Sequence, residues 1–304
     1  MVTDPSMRFN HAFVTGATGI VGVALCRKLI EMGVQVTGYS RGIGDSRLPD
    51  GVQHVRGDVL DRAGLISNAA GADVIFHLAA AVHGSASTYA EFEQMNVVGT
   101  QNAIQAATEI RAKLVHVSTV NVEGFRNGEL ADPYAETKSI AEDLIGEAVA
   151  TGLYAVIVRP ATVFGNEQGR AGLLVDRLLA GSLKVLPAPS RRISPVWSGD
   201  LAVALIQAAE IGVEGRTYTI AGATISTGEF VKSIASAVGL SGPLLTIPAL
   251  LFVVPLQLAW WSRSLTRWTP PVSVESLLNG SAYDGTGAAH DLKFNYTLMN
   301  EIFR

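Results

Sequence analysis

Apolar positions along this chain alternate between two rhythms. Short apolar runs at Ala12–Thr15, Val34–Tyr39, Val52–Arg56, Asp73–Leu78, Lys113–Ser118 and Ala155–Arg159 read as strands. Between them lie segments with apolar residues at helical spacing. These are Ile20–Met32, stopped by Gly33, then Asp61–Ala70, Tyr89–Ile110 and Pro133–Thr151, with Pro133 at a favoured first-turn position. Strand–helix alternation over roughly the first 160 residues predicts an α/β fold with a parallel, doubly wound sheet. Strands that are apolar along their whole length suit a sheet covered on both faces.

After Gly165 the rhythm weakens. Leu173–Ala180, Gly199–Ala209 and Thr227–Val238 read as helices, and Leu183–Leu186 and Thr217–Ile220 as strands. Pro187, Pro189, Pro195 and Pro270-Pro271 mark irregular connections. The expected organisation is a sheet domain from residues 1–164 and 195–222. A smaller mixed α/β substrate-binding part comprises 165–194 and 223–304.

Composition narrows the classes. The chain has 304 residues, 48% hydrophobic and 16% charged, which excludes a disordered polymer. Its 23 basic and 27 acidic residues leave a net charge of −4, with no Lys/Arg-rich run, so nucleic acid is not an expected partner. One cysteine, Cys26, rules out a disulfide framework and reads as packed core. The histidines lack paired ligand spacing, so no metal site is expected. Met1–Asn10 contains Asp4, Pro5 and Arg8 and no apolar core; no signal peptide and a cytoplasmic setting are expected. Leu244–Trp261 is uncharged for about 18 residues, near the minimum for a membrane span. Pro248, Pro255 and Gln257 interrupt it, which favours a buried or groove-lining amphipathic helix over a span.

Two motifs introduce chemistry. Thr15-Gly16-Ala17-Thr18-Gly19-Ile20-Val21-Gly22 ends the first strand and opens a helix. Glycines let the backbone approach a phosphate, and the helix N-terminus presents N–H groups and a positive dipole end. The spacing is G-x-x-G-x-x-G, not G-x-G-x-x-G, and its place between strand and helix gives it meaning. After the second strand, where a ribose-binding acid is expected, stand Tyr39-Ser40-Arg41. An arginine there suits a 2′-phosphate, so NADP(H) is preferred, with NAD(H) as the alternative. In the second motif, Tyr134 and Lys138 lie four apart and share a helix face. A nearby ammonium lowers a phenol pKa from about 10, and about three units of lowering requires about 4 kcal/mol, a load for Lys138 together with an oxidised nicotinamide. Ser118-Thr119, at the end of the fifth strand, places hydroxyls where parallel-sheet sites lie.

Together TGATGIVG (15–22), GDV (57–59), FHLAAAVH (76–83), NVVGT (96–100), VHVSTVNVEG (115–124), PYAETK (133–138) and VRPATVFG (158–165) resemble the extended short-chain dehydrogenase/reductase family over nearly the whole chain. The resemblance implies a Rossmann fold and hydride transfer between a nicotinamide and a carbonyl carbon. Tyr134 would be the proton donor or acceptor, Thr119 its hydroxyl partner, and Lys138 its electrostatic helper and a ribose ligand. Gly16, Thr18, Gly19, Ile20, Val21 and Gly22 would meet the pyrophosphate, and Ser40 and Arg41 the ribose. Asp58 and Val59 would meet adenine, while Ala79, Ala80 and Ala81 line the groove with Asn96 and Val117. Pro160, Ala161 and Val163 would lie near the nicotinamide. His83, Thr119, Thr162 and Arg192 would face substrate, and the Tyr89–Ile110 and Pro133–Thr151 helices would form a homodimer bundle.

Departures from family patterns bear on the reaction. Thr119-Val120-Asn121 replaces the Thr-Asp-Glu of sugar 4,6-dehydratases. Thr162 stands where 4-epimerases carry asparagine, and Ile193 where they carry arginine, with Arg192 one position away. LAAAVHG, NVVGT, VSTVNVEG, SRRIS and ISTGEF look similar to bacterial nucleotide-sugar 4-ketoreductases, which makes a nucleotide sugar the first expected substrate. The alternative is a hydroxysteroid- or flavonoid-type reductase of an apolar ketone. A non-catalytic nucleotide sensor ranks last, because Tyr134 and Lys138 are both present.

Overall fold

The computed structural model describes residues 9–42, 47–165, 173–243, 245–248, 251, 280 and 282–303. In chain order the first elements are β1 (His11–Thr15), α1 (Ile20–Glu31), β2 (Gln35–Ser40), β3 (Gln53–Arg56), α2 (Arg62–Ala69) and β4 (Val74–His77). Then come α3 (Tyr89–Glu93), a π-helical turn (Gln94–Val98), α4 (Gly99–Ile110), β5 (Lys113–Val117), α5 (Asn121–Arg126), α6 (Pro133–Ala150) and β6 (Ala155–Pro160). The later elements are β7 (Thr162–Phe164), α7 (Leu173–Leu179), β8 (Val185–Pro187), β9 (Arg192–Ile193), β10 (Pro195–Trp197), α8 (Ser198–Ile211) and β11 (Thr217–Ile220). The last are β12 (Ile225–Ser226), α9 (Thr227–Ala237), β13 (Leu245–Ile247), α10 (Thr286–Asp291) and α11 (Met299–Ile302).

The chain divides into two compact units. The first comprises Met1–Ala161, Ser198–Ile220 and Gly285–Tyr296. Its seven-stranded sheet has the order β11-β6-β5-β4-β1-β2-β3, with every neighbouring pair parallel. The order reverses between β1 and β4, the place where parallel sheets open a crevice at their carboxyl ends. One face is covered by α2 and α4 over Phe13, Ile75, Leu114 and Leu65, all fully buried. On the same unit, α1 packs on α8, burying Cys26, whose thiol is pushed up to about 12 by burial.

Three details differ from the sequence expectation here. The Tyr89–Ile110 helix is continuous but contains the π-helical turn, which rotates Asn96 into the interior. The short helix α5 follows Thr119, where no element was expected. Gly285–Tyr296, assigned above to the substrate-binding part, belongs to the first unit: α10 lies against β11, and Arg216 pairs with Asp291.

The second unit comprises Thr162–Trp197, Ala221–Asp284 and Thr297–Arg304. It contains three two-stranded pairs, β7 with β10, β12 with β9 and β13 with β8. Phe164, Leu178, Leu186, Phe230, Ile234 and Ile302 form its core. Ser226 caps α9 reciprocally with Glu229, an S-x-x-E capping box. The expected strand at Leu183–Leu186 lies at Val185–Pro187. The expected helix at 244–261 is corrected where it is described: Leu245–Ile247 is a strand parallel to β8. Pro248 explains this, because the residue before a proline is pushed out of helical geometry. The rest of that segment, with Trp260, Trp261, Trp268 and Pro270-Pro271, lies outside the described residues, apart from Leu251. No helix among the described residues is long and apolar enough to cross a membrane.

Candidate active site

The turn after β1 is built around glycine. Gly16 has φ +68, and a Cβ there would stand 2.8 Å from Ala79 N. A Cβ on Gly22 would stand 2.3 Å from Gly16 O and 2.6 Å from Ala17 O. Gly19 is the N-cap of α1 and offers no side-chain cap, and the first turn has no acidic residue. First-turn N–H groups lack intrahelical acceptors, so this end is an open, positive cradle. The bare backbone at Gly16–Gly22 therefore fits a dinucleotide pyrophosphate, with Thr18, Ile20 and Val21 on the same turn.

The second strand ends beside the cradle. Tyr39 is buried, with its hydroxyl donating to Asp58 O at 3.1 Å. This fixes the Gly57–Val59 turn, in which Asp58 Oδ1 accepts from Leu60 N at 3.0 Å. Ser40 is buried against His54 Nε2 at 2.8 Å, so its hydroxyl is already engaged. Arg41 is exposed and lines a cleft of about 390 Å3 with Ala81, Glu91, Gln94 and Met95. The Glu91 carboxylate is occupied by Ser87 N at 2.6 Å and Thr88 N at 3.0 Å.

Beyond β4, Thr15 Oγ1 accepts from Leu78 N and Ala79 N, which ties the Ala79–Ala81 strip to the cradle. Asn96 uses its amide on the protein itself: Oδ1 accepts from Ala81 N at 2.8 Å, and Nδ2 donates to Ala81 O and to Thr137 Oγ1. It clasps the alanine strip to α6.

Asp132 caps α6, accepting from Tyr134 N at 3.2 Å and Ala135 N at 3.4 Å, with Pro133 in the first turn. That cap sets where Tyr134 and Lys138 project. The Thr119 side chain, just beyond the end of β5, acts on the Tyr134 hydroxyl and favours its ionised form. Thr119 is itself held, its Oγ1 accepting from Asn121 N at 3.3 Å as α5 begins. Lys138 is buried, donating to Val117 O at 2.6 Å and sitting 3.0 Å from His116 Nε2. Burial pushes Lys138 down to about 7, against the pull of Glu142.

The expected lowering of the Tyr134 pKa rests on Lys138 together with an oxidised nicotinamide; the protein's own groups pull the other way. Burial and the Asp132 carboxylate push it up to about 12, and the Thr119 side chain opposes them. The phenol is therefore a neutral proton donor near pH 7.

His83, an expected substrate contact, stands against Asp132 and Tyr134. Its Nε2 is 3.2 Å from Asp132 Oδ1, and its ring stands edge-on to Tyr134 at 5.6 Å. The bond to Asp132 raises the imidazole pKa. Burial would raise the Asp132 carboxyl, but His83 and the two helix N–H groups outweigh it and hold the pKa low.

Pro160 and Ala161 end β6 in the first unit, with Ala161 N donating to Ile220 O at 2.9 Å. Thr162 and Val163 lie on β7, and exposed Arg192 on β9, in the second unit.

Sequence reasoning missed Asp132, although Asp-Pro ahead of a helix is a start signal. It also missed His116, which carries no local signal.

An ionic cluster fixes α5 and α6 to β6. Arg159 reaches Glu142 at 2.6 Å and Glu123 at 3.2 Å, and Glu142 is 3% exposed. Arg159→Met would leave that carboxylate buried, with Arg126 at 3.5 Å and the longer-range attraction of Lys138. The expected loss is about 3 kcal/mol, the lower end for a broken buried pair, measured by urea unfolding. An unchanged midpoint would mean that solvent screens the pair.

Comparison with known proteins adds relatives. The sequence model of the NAD dependent epimerase/dehydratase family matches residues 12–221. The chain is 32% identical over 248 residues to a 2-alkyl-3-oxoalkanoate reductase of Stenotrophomonas maltophilia, covering 74% of this chain and 75% of that one. It is 27% identical to a 3-beta-hydroxysteroid dehydrogenase of Mycolicibacterium neoaurum, covering 98% and 91%. UDP-glucose 4-epimerase of Thermotoga maritima, solved with UDP-glucose, shares the fold, with TM-score 0.78, 19% identity and 96% of each chain covered.

Proposed function

Since this chain belongs to the NAD dependent epimerase/dehydratase family, we propose that it reduces a ketone, or oxidises the matching secondary alcohol, on an apolar substrate. The family is one of oxidoreductases. The observation that carries the proposal is the Tyr134–Thr119 hydroxyl pair at the carboxyl end of β5, with Lys138 one turn on. Two hydroxyls meeting at one point suit a carbonyl oxygen, which Tyr134 protonates while Thr119 holds it in place. Lys138 favours the phenolate left behind. When bound, the nicotinamide supplies or accepts the hydride.

The apolar substrate is favoured by sequence relatives named for alkyl oxoacids and steroids, at 32% and 27% identity. The nucleotide-sugar reading is second: the 19% identity of the epimerase bears on fold alone. One experiment separates them. NADPH oxidation is followed with 2-alkyl-3-oxoacids and steroid ketones. In parallel, thermal stability with NADP⁺ is measured with UDP, dTDP, GDP or buffer. Turnover of an apolar ketone with no nucleotide shift supports the first reading. A nucleotide at about 100 times its Kd would add about 2.7 kcal/mol of stability and would move the assignment to nucleotide sugars.

NADP(H) is the proposed cofactor. Arg41 is the cation among the described residues lining the cleft. Arg41→Ala is expected to weaken NADPH about tenfold or more, the worth of one charge-assisted hydrogen bond, and NADH little. Equal losses by titration would show that Arg41 does not read a 2′-phosphate. Thr162 and Arg192 remain proposed substrate contacts, and a homodimer through α4 and α6 is the proposed assembly.

A further inference from the structure

We propose that His116 is a positioning residue for Lys138: a neutral imidazole whose Nε2 accepts one N–H of the buried ammonium, keeping that nitrogen charged and leaving one N–H for the reaction side. This rests on the role given to Lys138 above.

His116 is the polar exception in β5, between Val115 and Val117, and it is fully buried. A lysine ammonium has three donors and no acceptor. Val117 O at 2.6 Å and His116 Nε2 at 3.0 Å take two of them. For Nε2 to accept, the imidazole proton must sit on Nδ1. Against the charged ammonium, the other tautomer would set N–H against N–H at 3.0 Å. Nδ1 has no hydrogen-bond partner among the described residues. A strand interior would be more stable with an aliphatic residue there, and a buried N–H left unpaired calls for a functional reason.

The surroundings keep this imidazole neutral. His77, its register partner on β4, stacks on it at 5.5 Å. His77 is engaged on both nitrogens, by Thr15 Oγ1 at 2.9 Å and Thr100 Oγ1 at 3.3 Å. Burial and Lys138 hold both imidazoles uncharged, so neither repels the ammonium. From α6, Glu142 attracts Lys138 and Tyr134 stands one turn before it. Burial works against the charge on Lys138, and the His116 acceptor opposes that loss. Removing the acceptor lowers the lysine pKa, so the ammonium is lost at lower pH.

The test compares His116→Leu, which has no acceptor, with His116→Gln, whose amide oxygen can replace Nε2. The Kd for NADP⁺ is titrated from acid to alkaline pH, with melting temperature in parallel. In His116→Leu the alkaline loss of affinity is expected to move down by about one pH unit or more, giving about tenfold weaker binding on that limb. His116→Gln should restore the unaltered profile. A His116→Leu protein with a lower melting temperature and an unmoved pH profile would reduce His116 to packing and overturn the proposal.

Nitrogen-15 NMR of the unaltered protein supplies a second reading should that variant not fold. A neutral Nδ1–H tautomer at His116 is expected; an Nε2–H tautomer or an imidazolium would overturn it. Neither measurement needs turnover. A chain that binds NADP⁺ with this pH response but reduces no ketone would sink the proposed activity alone.

Discussion

Tyr134→Phe is expected to cut turnover by about 10²–10⁴-fold, the usual worth of a positioned acid–base group, with cofactor Kd and melting temperature close to unaltered. The substitution removes only the phenolic oxygen. The ring keeps its neighbours, Phe92 at 6.2 Å and His83 at 5.6 Å, so α6 and its Asp132 cap stay in place. What disappears is the hydroxyl that pairs with Thr119.

The pH sense of that loss can be worked out. A phenol pushed up to about 12 is protonated throughout the neutral range, so the donor form needed for reduction is fully present there and is lost only as pH rises toward that value. The reverse reaction needs the phenolate, so its rate should rise with pH. Single-turnover reduction at fixed, saturating NADPH checks the prediction. Turnover retained in Tyr134→Phe would remove Tyr134 from the chemistry and leave Thr119 without its proposed role.

Much of the first unit was legible because its signals are local. Strands such as Val74–His77 are buried on both faces, and the helices between them, α5 excepted, declare themselves by spacing and stops such as Gly33. The glycine turn and the Tyr134–Lys138 pair are likewise contained within one or two turns of chain. Contacts closed over long separations were not legible. His83 meets Asp132 across 49 residues, and Lys138 meets His116 across 22. Nothing in either neighbourhood announces the partner. The π-helical turn at Gln94–Val98 keeps helical periodicity almost intact, so its one consequence, an inward Asn96, is invisible without packing. The second unit's strands run two or three residues, too short for a period to register.

Gly22→Ala should cost both stability and cofactor binding, and for one geometric reason. Alanine normally gains about 1 kcal/mol over glycine inside a helix. Here its Cβ would stand 2.3 Å from Gly16 O and 2.6 Å from Ala17 O. Both contacts are backbone, and Gly16 O is itself committed to Gly19 N at 3.0 Å. No side chain can swing away, so the turn must open. Forced overpacking costs about 1–3 kcal/mol, enough to cancel the helix gain and leave a net loss. The opened turn also moves the N–H groups that face a pyrophosphate, so dinucleotide Kd is expected to rise about tenfold or more. Gly19→Ala is the control, because its Cβ meets Gly16 O at 3.3 Å, a contact a small shift relieves. Melting temperature and Kd for NADP⁺ on both variants decide the matter. A Gly22→Ala protein that melts and binds like the unaltered chain would mean that the turn is wider than its geometry indicates, and the cradle would lose its claim on the cofactor.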